Sequence, residues 1–379
     1  MTATAMTQTR HAVVVGLGQT GFSCVRYLRA QGYRVTVVDS RAQPPRLHEL
    51  RAQYPDVLAH TGGLDAQVLA EADLLVVSPG IALREPAIAA AQARGVPAVG
   101  DVEIFAQVAR APVLAITGAN GKSTVTSLVG AMCEAAGLNT IVGGNIGVPV
   151  LDLLEAAVPD VYVLELSSFQ LETTHSLKPH AATVLNPTPD HMDRYRDLAE
   201  YAAAKARIFH GDGLMVLNRD DPETLRMLRT GRRVCTFGLD TPPHDDDYGV
   251  VIHGGEEWLV RGARKLVAAK ELPLPGRHNV ANVLAAMALA AALDVPFDAM
   301  VRAALNFRGL KHRTQLVAEI DGVQFIDDSK GTNVGATVAA LNGMTAPAIL
   351  IAGGDGKGQD FAPLQPAVAA RTRAVVLIG

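Results

Sequence analysis

Cysteine is scarce in this chain. Cys24, Cys133 and Cys235 are the three in 379 residues. They are too few and too scattered for a disulfide framework or a zinc site, so a reducing compartment fits. One-sided charge is missing as well: the formal net charge is −4, with no long run of either sign. That argues against nucleic acid or a membrane surface as the partner, since both are normally met with a basic footprint. No stretch reaches the ~18 uninterrupted apolar residues of a membrane span. The N-terminal MTATAMTQTRHAVVVGLG runs into a strand without a signal-peptide core. No internal repeat or low-complexity segment is evident. These absences lead to the expectation of a soluble cytoplasmic protein with no nucleic-acid partner and no membrane insertion; separately from them, a monomer is expected.

What is present is apolar and periodic. Hydrophobic residues make up 49% of the chain, enough at this length for two or three domains with their own cores. HAVVVGLG, YRVTVVD, ADLLVVSPG and VPAVGD read as strands alternating with helical patterns, the signature of a parallel sheet flanked by helices. A second series starts at APVLAITGANGKS and continues through VYVLELSS, AATVLNPTPDH, the helical DLAEYAAAKARIF and GLMVLNRDD. TPPHDDDYGVVIHGG is turn-rich and reads as a surface excursion. LPGRHNVANVLAAMALAAAL reads as a helix with a polar entrance. A third series includes GLKHRTQLV, VQFIDDSKGTN, PAILIAGGDGKG and RAVVLIG. The expected fold is α/β in three domains: a Rossmann-like domain over 1–100, a phosphate-loop domain with a mostly parallel sheet over 101–309, and a Rossmann-like domain over 310–379. The third shows about three strands where an open doubly wound sheet carries about five or six, so it is expected to be incomplete.

The stretch AITGANGKST carries the sharpest chemistry. Gly118, Gly121, Lys122 and Ser123 follow a strand and precede a helix in the pattern G-x-x-G-K-S. Successive backbone N–H groups and a helix N-terminus favour anionic oxygens, the lysine reaches terminal phosphates, and the serine hydroxyl suits Mg²⁺. Glu165 closes the apolar strand VYVLE. A buried unpaired carboxylate is costly there, and a metal beside nucleotide phosphates supplies a reason for it; a glutamate at a sheet edge, facing water, is the plainer reading. Asp190, His191 and Asp193 follow the next strand, at the sheet edge where such folds bind ligands. His278 or Asn279, in GRHNVAN, is placed to cap the helix that follows. Lys205 reads from its helix pattern as a solvent-facing lysine.

GLGQTG raises a rival. Gly16, Gly18 and Gly21 fit G-x-G-x-x-G after a strand, and Asp39 ends the next strand 23 residues beyond Gly16. This is the dinucleotide fingerprint, and alone it favours a dehydrogenase binding NAD. That reading leaves the phosphate loop, Glu165 and the DHMDR cluster without a task.

ITGANGKST, GGNIG, ELSSFQLE, DHMDRY, AAKARIF, GRHNVAN, LKHR, DDSKGTN and GGDGK occur in this order, from residue 116 onward. Together they resemble the Mur ligase family, the ATP-dependent ligases of peptidoglycan precursor synthesis. GLGQTG…VVDSR and SPGIAL narrow the resemblance to members that add D-glutamate to UDP-N-acetylmuramoyl-L-alanine. Sister ligases adding other amino acids, and folylpolyglutamate synthetases, are disfavoured by that N-terminal region. The resemblance implies an acyl phosphate made from ATP and then attacked by the D-glutamate amine, with two Mg²⁺ ions neutralising charge.

The resemblance also implies roles by matched position. Gly118, Asn120, Gly121, Lys122, Ser123 and Thr124 would hold the ATP phosphates. Asn279 and Asn282 would lie near adenine, with Arg313 on phosphate and Asp328 on the ribose. Ser123 and Glu165 would ligate one Mg²⁺, and His191 with a carbamylated Lys205 the second, which makes Lys122, His191 and Lys205 the catalytic set. Gly18, Thr20, Asp39, Ser40, Arg41, Asn145 and Ser167 would face the UDP-linked substrate, and Lys330, Thr332 and Lys357 the incoming D-glutamate. The sequence departs from the family pattern at Ala119, usually threonine, at the two prolines of NPTPDH, and at Gln315, usually acidic. Family members also continue beyond this chain's last motif, so a fragment that binds better than it ligates is expected.

Overall fold

The computed structural model describes residues 9–344, 346–356 and 358–378. The chain forms two compact units. One comprises the residues up to Arg110 with Gly143–Val158 and Phe169–Leu177; the other comprises Ala111–Val142, Pro159–Ser168 and the residues from Lys178 onward.

The first unit is built on strands β1 (His11–Val15), β2 (Arg34–Asp39), β3 (Leu58–Thr61), β4 (Leu74–Val77) and β5 (Ala98–Val99), in the order β3-β2-β1-β4-β5. All neighbours are parallel. β1 is buried along its whole length, which is why it reads as a continuous apolar run and not as an alternation. Val13 and Val15 pack with Val38, Leu75, Val77 and Ile88 in one core. Chain order reverses on either side of β1, and the carboxyl end of such a strand opens a ligand crevice.

The second unit carries β6 (Val113–Thr117), β7 (Thr140–Gly144), β8 (Val161–Glu165), β9 (Ala181–Val184), β10 (Leu214–Asn218), β11 (Val234–Phe237), β12 (Tyr248–His253), β13 (Glu256–Arg261) and β14 (Arg264–Ala268). Their order is β14-β13-β12-β11-β10-β9-β6-β8-β7. Pairing is parallel from β8 through β12, and the last two pairs are antiparallel. Helices Lys122–Ala135, Arg277–Ala291 and Phe297–Asn306 pack on this sheet in a continuous core. The run VLAAMALA within Arg277–Ala291 is buried throughout, as an all-round apolar helix must be.

The stretch expected as a surface excursion is part of this architecture. Tyr248, Val250 and Leu259 are core residues, because alternation in β12 and β13 presents an apolar face that extends the sheet.

The last segment forms β15 (Gln315–Ile320), β16 (Val323–Asp327), the helix Val334–Gly343, β17 (Ala348–Gly353) and β18 (Thr372–Ile378). β17 and β18 are parallel, but β15 and β16 form an antiparallel hairpin. Its two-residue turn is Asp321-Gly322, at φ 51° and 75°. Asp-Gly between two apolar runs is a hairpin signal, and it bends this part of the third series away from a purely parallel pattern.

Candidate active site

The phosphate loop leaves β6 at its carboxyl end and enters the helix Lys122–Ala135 through Gly121, at φ 81°. The left-handed backbone requires glycine, and so does crowding: a Cβ on Gly121 would lie 2.5 Å from Asn282 Oδ1. The loop is held from outside by paired amides. Asn120 N donates to Asn186 Oδ1 at 2.8 Å, and Asn186 Nδ2 donates back to the Asn120 carbonyl at 3.2 Å. Lys122 Nζ donates to the Ala119 carbonyl at 2.8 Å. Burial pushes the Lys122 ammonium below its ordinary value, Glu165 and Asp190 pull it back up, and Arg313 adds to the depression.

β8 pairs with β6 so that Glu165 stands opposite Ile116, one strand from the loop. Glu165 is 2% exposed, so it is not a water-facing edge residue. Ser123, in the first turn of the loop helix, is also buried. A serine hydroxyl and one buried carboxylate beside a phosphate cradle are the hard oxygen donors that Mg²⁺ shares with nucleotide phosphates, and the donor set fits that ion. Among the described residues, no group of three or more His, Cys, Asp or Glu side chains forms a protein-only metal cage.

β9 leads to Asp190 and His191. His191 adopts φ 57°, an uncommon conformation for a non-glycine residue that is often met at functional sites. Its N–H donates to Asp190 Oδ1 at 3.0 Å, and its Nε2 lies 3.6 Å from Asp190 Oδ2. Asp193, on the same turn, is exposed.

Lys205 departs from the solvent-facing placement its helix pattern suggests. It is 1% exposed, on the helix Leu198–Ala206. Its Nζ donates to the Gly118 carbonyl at 2.9 Å and to Thr117 Oγ1 at 3.4 Å, and it lies 4.4 Å from the centre of the Tyr201 ring. Burial drives its amine well below the ordinary value, reinforced by Lys122 and opposed by Asp190 and Glu165. Desolvation thus favours the neutral form of this amine.

A cleft adjoins the loop. Asn120, Gly121 and Thr124 form one wall, Asn279 and Asn282 another, and Arg313, Asp328 and Lys330 a third. The helix Arg277–Ala291 is capped by Gly276, with no side-chain cap, so neither His278 nor Asn279 serves that role. Asn282 Nδ2 instead donates to Asn279 Oδ1 at 3.1 Å, and Asn279 Nδ2 to the Pro275 carbonyl at 2.7 Å. Arg313 Nη2 donates to Ser123 Oγ at 2.8 Å. Asp328 Oδ1 accepts from Thr314 N at 2.8 Å, and burial raises its carboxyl above the ordinary value despite that bond. Thr332 is exposed, and Lys357 lies outside the described residues.

Sequence reasoning missed Asn186, Leu274, Leu310, Ala336 and Ala340 among the residues around the loop and cleft. The small or apolar side chains among them carry no chemical signal, and Asn186 acts through bonds to Asn120, which lies 66 positions away in sequence.

In the first unit, Gly18, Thr20, Asp39, Ser40 and Arg41 gather at the carboxyl ends of β1 and β2. A Cβ on Gly21 would run into the Gly16 carbonyl, which is the close helix approach the glycine motif exists to permit. Asp39 is 1% exposed. It accepts from Leu17 N at 2.7 Å and from Arg41 N and Nε at 2.9 Å each. Burial opposes its ionisation, but Arg41 and the two amides outweigh burial and hold the carboxyl below its ordinary value. Asn145 is exposed, in the same unit. Ser167 belongs to the second unit, just beyond Glu165.

A phosphate loop at the carboxyl edge of a parallel sheet, with a buried carboxylate, a desolvated lysine and an arginine converging on it, defines a nucleotide-dependent enzyme that handles phosphoryl groups. The chain belongs to the Mur ligase family: residues 10–100 match the Mur ligase MurD-like N-terminal domain and residues 116–290 the Mur ligase middle domain. It is 57% identical over 372 residues to the UDP-N-acetylmuramoylalanine–D-glutamate ligase of Methylobacillus flagellatus, covering 98% of this chain and 82% of that protein. It is 55% identical to the ligase of the same name from Thiobacillus denitrificans, again covering 98% and 82%. Among solved structures, the UDP-N-acetylmuramate–alanine ligase of Thermotoga maritima shares the fold at a TM-score of 0.61 and 20% identity, over 97% of this chain and 85% of that one. No helix among the described residues is long and apolar enough to cross a membrane.

Proposed function

We propose that this chain is the ATP-dependent ligase that joins D-glutamate to the carboxylate of UDP-N-acetylmuramoyl-L-alanine, acting in the cytoplasm as a monomer. Three domains, 1–100, 101–309 and 310–379, would bind the UDP-linked substrate, ATP, and the amino acid with part of the nucleotide. The observation that carries the reading is the convergence of Lys122, Glu165, Lys205 and Arg313 on one phosphate loop, in a chain 57% identical to a ligase of that name.

Transfer of a phosphoryl group to a carboxylate brings two anions together, so the protein's task is charge neutralisation and alignment. Lys122 holds the β- and γ-phosphates of ATP, and the loop amides with the helix N-terminus hold the remaining oxygens. Arg313 moves from Ser123 Oγ to the transferring phosphate, where its fork matches two oxygens. Asn279 and Asn282 orient the adenine, and Asp328 the ribose. Ser123 and Glu165 would hold one Mg²⁺; His191 and a carbamylated Lys205 would hold a second. Bound there, the ions offset the charge of the phosphates and the acyl phosphate. The desolvated Lys205 amine is the group that would take up CO₂. Gly18, Thr20, Asp39, Ser40, Arg41, Asn145 and Ser167 are the residues assigned to the UDP-linked substrate. Lys330, Thr332 and Lys357 serve the D-glutamate carboxylates.

The test is phosphate release from ATP in the presence of UDP-N-acetylmuramoyl-L-alanine, with and without D-glutamate. Release that requires D-glutamate and yields the amide is expected. Release that responds instead to another amino acid would refute the acceptor assignment.

A further inference from the structure

Asn333 belongs to no role assigned above, yet it is 6% exposed and uses every polar atom of its side chain. Its Oδ1 accepts from Ala336 N at 2.8 Å, capping the helix Val334–Gly343. The same oxygen accepts from Asn120 Nδ2 at 3.2 Å, while Asn333 Nδ2 donates to Asn120 Oδ1 at 3.0 Å. The two primary amides thus form a reciprocal pair across 213 positions of sequence. Asn333 Nδ2 also donates to Asp190 Oδ2 at 3.3 Å, and Asp190 is the carboxylate that accepts from His191 N. One side chain therefore ties together the phosphate loop, the turn bearing His191 and a helix of the last segment.

The cleft shows why this matters. Asn120 and Gly121 line it from the loop, while Ala336 and Ala340 line it from the helix that Asn333 caps. We propose that Asn333 is a positioning residue for ATP: by pairing with Asn120 it holds the phosphate loop in register with the helix Val334–Gly343, so that the walls of the nucleotide cleft are assembled before ATP enters. The inference rests on the reading of the cleft as an ATP site. Preassembled walls spare the nucleotide the cost of ordering them, and a buried amide deprived of its partner is left unsatisfied.

Capping and pairing are separable. Asn333→Ser keeps a good N-cap but is too short to reach Asn120 and Asp190. Asn333→Asp also keeps the cap, and sets a carboxylate against Asp190 and against the Asn120 carbonyl oxygen. ATP affinity, measured by calorimetry on the 379-residue chain, is read beside the thermal midpoint. Asn333→Ser is expected to weaken ATP binding roughly tenfold with a modest fall in the midpoint and a cooperative transition retained, and Asn333→Asp to weaken it further. Asn120→Ala and Asn333→Ala are expected to be non-additive in a double-mutant cycle.

The proposal is overturned if Asn333→Ser binds ATP as wild type does, which would leave capping as the residue's whole role. Tighter binding by that variant, or additive single effects, overturns it as well. Wild-type protein that binds ATP but makes no amide would refute the proposed ligation, while the affinity series still decides the role of Asn333. Wild-type protein that binds no ATP overturns both.

Discussion

Arg313 reaches across 190 positions of sequence to place Nη2 2.8 Å from Ser123 Oγ. A guanidinium is thereby poised on the first turn of the phosphate-loop helix, where phosphate oxygens would lie. Arg313→Lys keeps the charge and loses the planar fork, so the two arginine functions can be told apart. Turnover is expected to fall about 10²-fold or more in Arg313→Ala and to recover only partly in Arg313→Lys. Full recovery by lysine in steady-state kinetics would show that charge alone suffices.

Lys122→Ala removes the cation whose burial is offset by Glu165 and Asp190. ATP turnover is expected to drop by about 10²–10³-fold, while the affinity for the UDP-linked substrate stays within about twofold, because the proposed contacts to that substrate come largely from the other unit. Kinetics and calorimetry on the same preparation check both halves.

Gly121→Ala places a Cβ at φ 81° and within 2.5 Å of Asn282 Oδ1. The left-handed backbone alone costs about 1 kcal/mol for a residue with a Cβ. Urea unfolding should register at least that loss. Nucleotide affinity should fall with it, since the Asn279–Asn282 pair must shift.

Lys205→Ala removes an amine that is buried against Gly118, Thr117 and Tyr201. Loss of ligation is expected, together with a raised Mg²⁺ requirement, and His191→Ala should raise that requirement too. With wild-type protein, isotopically labelled bicarbonate should give a carbamate signal that is absent from the variant. A wild-type protein without that signal in the presence of Mg²⁺ and ATP would remove Lys205 from the proposed metal set.

Asp101, fully enclosed at the start of the helix Asp101–Val108, is pushed by burial from 3.8 to about 6, against the pull of the Val102 amide and Gln170. The fold therefore favours the protonated acid. Its contribution to stability is complete below pH 4 and is lost as pH rises through about 6. A shift of that size is worth about 3 kcal/mol at most. Asp101→Asn, which stays neutral, should match wild type near pH 4 and exceed it in thermal stability at pH 7.5. An equal gain at both pH values would show that charge burial is not the cause.

Much of this molecule was legible in its residues. The buried parallel strands announce themselves as apolar runs, because both faces of such a sheet are covered. G-x-x-G-K-S marks the phosphate loop because anion binding there depends on local backbone geometry. Glu165 stood out because a carboxylate has little reason to end such a strand without a partner. Other features were illegible for equally physical reasons. Lys205 sits on a helix whose pattern says surface, and only the packing of that helix against the loop reveals burial. The stretch from Thr241 to Gly255 has the composition of a loop, yet its second half is a strand that pairs with β13 just after it and with β11 before it, and only the core packed beneath that sheet shows its apolar face to be buried.

By itself the sequence determined the elements and the local chemistry: the strands, the glycine turns, the loop lysine and its serine. Those depend on interactions within a few residues, such as backbone sterics, capping and side-chain periodicity. Tertiary structure alone decided which distant groups meet. It set Arg313 on Ser123, joined Asn333 to Asn120, and removed Lys205 from water. Such contacts depend on burial and on long-range registry, which no local stretch of residues encodes.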